Sequence, residues 1–278
     1  MTLDIEHLRQ WIGGEEVASE YVTAALVQRF NATFDQDGDT GQGAAAPSML
    51  HWCLAPPAWP TASLGPDGHP ARGGFLPPVP LPRRMWAGGS LSFVDDMRIG
   101  ETVTRRSTIR DVTIKEGRSG MLCFVTVDHA ISSDGREILG ERQDIVYRQV
   151  EAGASPASKA PAAPRGAHHV QIDPSAVLLF RYSALTFNGH RIHYDAPYVT
   201  NVEGYPGLIV HGPIQATMLV QFAETIGGRL PARFDFRSLS PLFDIADFTL
   251  NAEEDGEGLR LWTSYVDGPV AMEARATW

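Results

Sequence analysis

Cysteine and long apolar runs are scarce in this sequence. Its 278 residues include two cysteines, Cys53 and Cys123, without the CxxC spacing of a redox or metal site. No stretch approaches the roughly 20 consecutive apolar residues that a membrane-spanning helix needs. The N-terminal residues Met-Thr-Leu-Asp-Ile-Glu lack the basic and then apolar plan of a secretory signal. These absences predict a cytoplasmic protein with two ordinary thiols and no membrane partner.

Positive charge is scarce as well. Lysine and arginine total 23 against 33 acidic residues, which gives a formal net charge of −10. This balance argues against a nucleic-acid partner, because phosphate contacts require a basic face. Apart from Lys115 and Lys159, the basic residues are arginines. Arginine suits bidentate recognition of phosphate or carboxylate, although a high-GC genome produces the same bias.

The chain divides into two halves. A segment rich in Ala, Pro, Ser and Gly over residues 151–170 gains little by packing and is typical of a linker. We therefore predict one domain over residues 1–150 and a second over residues 171–278. This length is sufficient for two domains that each bury a core.

In the first half, apolar residues at i+4 spacing predict a helix over residues 15–34. Residues 36–90 are crowded with Gly and Pro, which predicts an ordered, meandering loop. From residue 91 to residue 149, apolar and polar residues alternate, which is typical of β-strands. Turn residues at Glu116-Gly117 and at Asp134-Gly135 then predict an antiparallel meander.

The second half repeats this order. A strand is predicted over Val177–Phe187, and a buried helix over Pro213–Ile226, where Gly227-Gly228 stops the apolar stretch. Strands are predicted over residues 245–252, 258–266 and 269–277. A helix followed by a meander thus occurs twice and predicts an α+β fold.

One segment combines the chemistry-bearing residues. Asn188 and His193 stand five residues apart, and His211-Gly212 follows and opens the apolar helix. An imidazole titrates near neutral pH and can move protons. Backbone N–H groups at a helix start, with Pro213 in the first turn, can hold a developing oxyanion. Together they can add water across a double bond conjugated to a thioester carbonyl.

The run from Tyr182 to His193, Tyr-Ser-Ala-Leu-Thr-Phe-Asn-Gly-His-Arg-Ile-His, resembles the signature of R-specific enoyl-CoA hydratases, the MaoC-like hot dog dehydratases. That family carries Asp at the position of Asn188, Asn-Pro at His190-Arg191, and its catalytic His at His193. The run from Gly73 to Gly89 is similar to the subgroup of mesaconyl-CoA and itaconyl-CoA hydratases and mitochondrial-type 3-hydroxyacyl-thioester dehydratases.

The resemblance implies a tandem (double) hot dog, in which each half is an antiparallel sheet wrapped around a central helix. The first half would supply the acyl and coenzyme A tunnel and the second half the chemistry. The resemblance also implies a lyase that acts on an acyl-CoA thioester and needs no metal or redox cofactor. Coenzyme A would enter only as part of the substrate. The oligomeric state stays open, a homodimer included.

The predicted catalytic residues are His193, Asn188 and Gly212, and the predicted substrate-binding residues are Arg83, Arg84, His190, Arg191 and His211. Asn188 departs from the family, because an amide cannot take a proton. Either it orients the water while His193 does the acid–base work, helped by Asp195, or the chain binds thioesters without turning them over.

Several residues have a plainer interpretation. His190 could face solvent in a turn, Asp195 could cap a turn or pair with an arginine, and Gly212 could be an ordinary glycine at a helix start. Arg83 and Arg84 could recognise the free carboxylate of a dicarboxylic acyl group, as in mesaconyl or itaconyl. They could equally be exposed or bind coenzyme A phosphates. A hot dog thioesterase is the alternative from another reaction class.

Overall fold

A computed structural model describes residues 3–70, 72–117, 120–149 and 160–278. Within these ranges, ten strands pair antiparallel in one sheet. The strands are β1 (Glu15–Tyr21), β2 (Arg83–Phe93), β3 (Thr102–Gly117), β4 (Gly120–Ser133), β5 (Arg136–Arg148), β6 (His168–Ile172), β7 (Arg233–Ser238), β8 (Phe248–Asp255), β9 (Gly258–Tyr265) and β10 (Val270–Thr277). The helices are α1 (Ile5–Arg9), α2 (Ala24–Thr33), α3 (Ala176–Leu185), α4 (Ala196–Asn201) and α5 (Gly212–Gly227).

The sheet repeats one strand order in its two halves. Across the sheet the order is β1-β3-β4-β5-β2-β7-β10-β9-β8-β6, so each half, read from its outer edge, has the same arrangement. Strands β2 and β7 join the halves through antiparallel pairs such as Gly89 with Phe236. A side chain at Gly88 would overlap the backbone of Phe236, so glycine allows the two strands to approach closely. This duplication is the tandem arrangement that the sequence predicts.

Helix α5 lies against strands β7 to β10 of the second half and confirms the predicted buried helix. It ends at Gly227, and the C-cap residue Gly228 has a φ of 70°, the left-handed conformation that favours glycine. In the first half, α2 begins where the Thr23 side chain accepts the N–H of Leu26 at 3.1 Å. Its buried residue Phe30 belongs to the same hydrophobic core as Leu219 of α5, so one core extends across both halves.

Residues 15–21, predicted to begin a helix, form strand β1 and pair with β3. Val17 and Tyr21 are about half exposed, so the apolar stripe that suggested a helix is buried only from Val22 onward. Pairing with the neighbouring strand decided the conformation, which the local spacing could not reveal. The predicted loop 36–90 is also too long, since β2 begins at Arg83.

The predicted strand Val177–Phe187 is wrong, because residues 176–185 form α3. Its N-terminus is capped by the Ser175 side chain, which accepts the N–H of Leu178 at 3.3 Å. A short apolar run does not by itself distinguish strand from helix. Leu179, Tyr182 and Ser183 are the buried residues, at helical spacing.

Strand β6 begins inside the predicted linker and pairs with β8, whereas residues 150–159 lie outside the described residues. The domain boundaries therefore stay predictions. Strand β7 was not predicted, while the meander of the first half and the last three strands are confirmed with shifted ends. In the part of the chain that the structure describes, no helix is long and apolar enough to cross a membrane.

Candidate active site

The predicted motif begins in the last turn of α3 and continues through a loop into a 3₁₀ turn, Arg191–His193, which precedes α4. Asp195 caps α4 by accepting the N–H of Tyr198 at 3.0 Å, and its carboxylate pairs with the Arg191 guanidinium at 2.8 Å. Arg191 also lies over the Tyr198 ring. The plainer interpretation of Asp195, as a cap paired with an arginine, is the geometry observed, and Arg191 is engaged in holding the turn.

His193 is buried, with 8% of its surface exposed. Its Nδ1 donates to the carbonyl oxygen of Ile209 at 2.7 Å. Because a carbonyl only accepts, this bond leaves Nε2 with the lone pair. Burial lowers the pKa of His193 to about 4, partly offset by the bond to Ile209. At neutral pH the ring is therefore uncharged and can accept a proton at Nε2.

His211 stacks on His193, with ring centroids 3.6 Å apart and planes inclined by 16°. It is 1% exposed, and its Nε2 lies 2.9 Å from the Ser183 hydroxyl oxygen. Burial lowers the pKa of His211 well below its usual range, so this ring is uncharged as well. His211 therefore packs against one face of the His193 ring and is itself too buried to contact substrate.

The start of α5 adjoins this pair. His211 is the N-cap residue and Gly212 the first residue of the helix, and no side chain of the described residues caps this end. The first N–H groups of a helix lack partners within it, and the helix dipole makes that end electropositive. Pro213 has no N–H. The N–H of Gly212 is thus suited to hold an oxyanion beside the His193 ring.

Asn188 is half-buried at the bend after α3, and its side-chain oxygen accepts the backbone N–H of His190 at 3.0 Å. Phe187 before it has a φ of 51°. Asn and Asp favour this kind of turn because a short side-chain oxygen can accept from the backbone two residues on. The amide of Asn188 therefore shapes the loop that carries His190 and His193.

Two further polar residues, Asp67 and His69, come from the first half. The His69 ring lies 4.0 Å from that of His190, whose ring lies 5.5 Å from that of His193. The Nδ1 of His69 donates to the Asp67 carboxylate at 3.2 Å. The sequence analysis missed both because they lie in the Gly- and Pro-rich run 36–90, which was interpreted only as a meandering loop. A carboxylate two residues before a histidine was the available signal.

Hydrogen bonds from Arg191 hold the loop that carries Asp67 and His69 against the motif. The N–H of Arg191 donates to the Asp67 carbonyl oxygen at 3.0 Å, and its guanidinium donates to the Pro66 carbonyl oxygen, also at 3.0 Å. Gly68 has a φ of +88°, and a side chain there would overlap the Gly189 carbonyl. The two halves therefore meet closely at the candidate site.

The two predicted selectivity arginines have different environments. Arg83 pairs with Glu203 of the second half at 3.5 Å and lies over the Tyr205 ring. Arg84 follows it on β2 and so faces the opposite side of the sheet. The charge of Arg84 contributes to lowering the pKa values of His69 and His190, for which burial is the main cause. The structure thus brings Arg84, and not Arg83, to the imidazoles.

Asp67, His69 and His190 also form a group that could hold a metal ion, since one ligand atom of each lies within 4.8 Å of the others. Two histidines and a carboxylate can bind zinc. However, Asp67 already pairs with Nδ1 of His69, and the positive charges of Arg84 and Arg72 act on His69. This environment favours uncharged imidazoles over a bound cation.

A cavity of about 540 Å³ lies elsewhere, near the C-terminal end of α5. Five acidic residues are among those that line it: Asp37, Asp39, Asp95, Asp96 and Glu224. None of the predicted site residues is among its described lining residues. The negative charge makes this cavity unsuited to the phosphates of coenzyme A.

Residues 47–244 match the family described as Htd2, hydroxyacyl-thioester dehydratase type 2. The chain belongs to the Htd2 family. It is 42% identical over 268 residues, 95% of each chain, to the mesaconyl-C(4)-CoA hydratase of Chloroflexus aurantiacus. Among this Htd2 protein's structural neighbours is HtdX of Mycobacterium tuberculosis, at 18% identity and a TM-score of 0.67, covering 94% of this chain and 99% of HtdX.

A second protein of Mycobacterium tuberculosis, described as a double hot dog fold, matches at 12% identity and a TM-score of 0.59 over 95% of each chain. These similarities and the repeated strand order confirm the double hot dog prediction. The family assignment confirms that this Htd2 protein is an enzyme of the hydratase and dehydratase type.

Proposed function

We propose that this Htd2 protein reversibly hydrates a short enoyl-CoA with a branched dicarboxylic acyl group, most specifically mesaconyl-C(4)-CoA to citramalyl-CoA. The observation that carries the proposal is the stacking of the uncharged His193 on His211, the N-cap residue of α5, whose start has no side-chain cap. The substrate follows from the 42% identity to the Chloroflexus aurantiacus enzyme. Itaconyl-CoA is a second substrate of the same class.

His193 and the N–H of Gly212 can together carry out the hydration. Nε2 of His193 takes a proton from water while the water oxygen bonds to the β-carbon. The electron pair of the double bond moves onto the thioester oxygen, which the N–H of Gly212 stabilises. Protonation at the α-carbon completes the addition. Each step uses side chains or backbone of this chain, so we propose that no metal or redox cofactor takes part.

Arg84 is the residue that we assign to the free carboxylate of the acyl group. A buried carboxylate requires a partner, and a guanidinium can bind both of its oxygens. Arg84 is half-buried, its charge acts on His69 and His190, and its side chain is hydrogen-bonded with the uncharged Tyr147 hydroxyl, whereas Arg83 is paired with the Glu203 carboxylate. We also propose a cytoplasmic location, because the two cysteines are buried and unpaired, as is usual in reducing compartments.

A second candidate is a 3-hydroxyacyl-thioester dehydratase of fatty acid metabolism, and the family description, hydroxyacyl-thioester dehydratase type 2, favours dehydratase activity. A spectrophotometric panel of mesaconyl-C(4)-CoA, itaconyl-CoA and crotonyl-CoA separates the two. We expect the dicarboxylic thioesters to be hydrated with the highest kcat/KM. Preference for crotonyl-CoA would overturn the dicarboxylate assignment, and release of free thiol would indicate a thioesterase. Binding without any change in enoyl absorbance would indicate a non-catalytic binder.

A further inference from the structure

We propose that His69, paired with Asp67, is the second acid–base group of the site and delivers the proton to the α-carbon. This inference rests on the proposed hydratase function and deepens it. Hydration requires a base that takes a proton from water and an acid that gives one to carbon. One half of the molecule would then supply the base, His193, and the other half the acid.

Asn188 cannot be the second group. An amide does not take or give a proton at neutral pH, and the Asn188 oxygen already accepts the backbone N–H of His190. Asp195 is engaged too, because it caps α4 and pairs with Arg191. If a group other than His193 itself returns the proton to carbon, neither Asn188 nor Asp195 is that group, and the Asp67–His69 pair is the next polar group towards His193.

Asp67 and His69 have the geometry of such a carrier. The carboxylate accepts from Nδ1 of the ring at 3.2 Å, which orients the imidazole and leaves Nε2 for a reaction partner. The His69 side chain keeps 22% of its surface exposed, so substrate can reach it. The His190 ring lies between the other two, with its centroid 4.0 Å from that of His69 and 5.5 Å from that of His193. This arrangement connects the Asp67–His69 pair with the catalytic imidazole.

The two imidazoles differ in how well they can hold a charge. Burial lowers the pKa of His69, but Asp67 beside it partly offsets this effect by favouring the imidazolium. No carboxylate of the described residues pairs with His193, whose ring stacks on the uncharged His211. A single proton shared by the two groups would therefore reside on His69 and leave His193 free to act as the base. The charged groups that face His69 are Asp67, Arg72 and Arg84, and the His190 ring lies tilted beside it.

The proton balance closes. In hydration, an O–H bond of water breaks, its proton goes to His193, and the oxygen bonds to the β-carbon. The double-bond pair moves to the thioester oxygen and then returns to form the C–H bond with the proton from His69. The enzyme ends with the proton on His193, and exchange with solvent restores it to His69. Dehydration uses the same two groups in reverse.

The kinetic test compares His69→Gln and Asp67→Asn with the wild type on the substrate that it hydrates best. His168→Gln and Asp173→Asn, both at exposed positions away from the site, are the matched controls. We expect His69→Gln to lower kcat by about 100-fold or more with little change in KM. Added imidazole should partly rescue His69→Ala. Wild-type turnover in His69→Gln, or a defect confined to KM, would overturn the proposal.

The pH profile separates an acid–base role from a structural one. The wild-type hydration rate should fall as pH rises through the pKa of His69, because the proton donor is lost. Asp67→Asn removes the carboxylate that favours the imidazolium, so this fall should move to lower pH. An unchanged profile in Asp67→Asn would contradict the proposal. So would activity that is lost on chelation and restored by zinc, because the same three residues would then hold a metal.

A titration of the imidazole resonances by NMR, without substrate, does not depend on turnover. His69 should titrate at a higher pH than His193, and Asp67→Asn should lower the His69 pKa. The reverse order overturns the proton assignment even if the enzyme is an active hydratase. Conversely, the expected order in a protein that hydrates no enoyl-CoA would reject the proposed function while leaving the pair as a proton carrier.

Discussion

The imidazole of His193 lies flat against that of His211, with centroids 3.6 Å apart. Stacking at this distance suits two uncharged rings, because a proton on either would place a buried charge against its neighbour. Nδ1 of His193 is held by the Ile209 carbonyl, and Nε2 of His211 by the Ser183 hydroxyl. Although the two histidines are 18 residues apart in sequence, their stacking holds His193 in one orientation, and the bond to Ile209 sets its tautomer.

Protein stability should fall as pH decreases from about 6.5 toward 4. The folded-state pKa of His193 is lowered from 6.5 to about 4, so the unfolded chain binds more protons in this window and acid favours unfolding. The stabilisation is present above pH 6.5 and is lost as pH falls. His193 alone corresponds to about 2 kcal/mol between pH 7 and pH 5. Urea unfolding at both pH values measures it. His193→Gln should show a smaller difference, and an equal one would contradict this account.

Arg84→Gln should change substrate selectivity. Loss of the guanidinium leaves the free acyl carboxylate without a partner, so KM for mesaconyl-C(4)-CoA should rise by about tenfold or more, while KM for crotonyl-CoA stays nearly constant. Arg83→Gln is the control, since Arg83 pairs with Glu203 and its loss should affect both substrates alike. An equal response of the two substrates to Arg84→Gln would contradict the assignment.

Gly68→Ala should reduce both stability and turnover. Both Gly68 and Gly43 have positive φ values, +88° and +79°, but only at Gly68 would the added Cβ overlap a neighbour, the Gly189 carbonyl. Gly43→Ala should therefore cost about 1 kcal/mol for the strained backbone alone. Gly68→Ala should cost about 1–3 kcal/mol more and displace the loop that carries His69. Chemical denaturation and kcat measure the two effects. Equal costs would show that the contact between the halves is unimportant.

Asn188→Asp should retain or increase hydratase activity. The carboxylate can still accept the N–H of His190, so the turn should keep its shape, and it adds a group that can carry a proton near His193. Steady-state kinetics of the variant, with thermal unfolding as a check of folding, measure the effect. A severe loss of kcat in a folded variant would mean that the amide itself is required.

Local pattern was sufficient for some elements and insufficient for others. Helix α5 was predictable because an apolar run between Pro213 and Gly228 has few alternatives. Strand β1 was mistaken for a helix because its conformation depends on pairing with β3, which is remote in sequence. The apolar run that forms α3 was mistaken for a strand because its capping by Ser175 was overlooked.

Only the part of the candidate site that the second half contributes could be predicted from the sequence. His193, His211 and Gly212 lie within one motif, so their proximity follows from a short stretch of sequence. Asp67 and His69 are more than 100 residues away, in a region whose glycines and prolines predicted only a meandering loop. Their approach depends on how the two halves pack, which no local pattern encodes.

The most direct test of this account is the rate at which the purified protein and its His193→Ala variant change the ultraviolet absorbance of mesaconyl-C(4)-CoA. General acid–base groups usually contribute a factor of about 100 or more. We therefore expect rapid hydration by the wild type and a loss of at least about 100-fold in a variant that remains folded by circular dichroism. A folded His193→Ala variant with wild-type turnover would contradict the central claim.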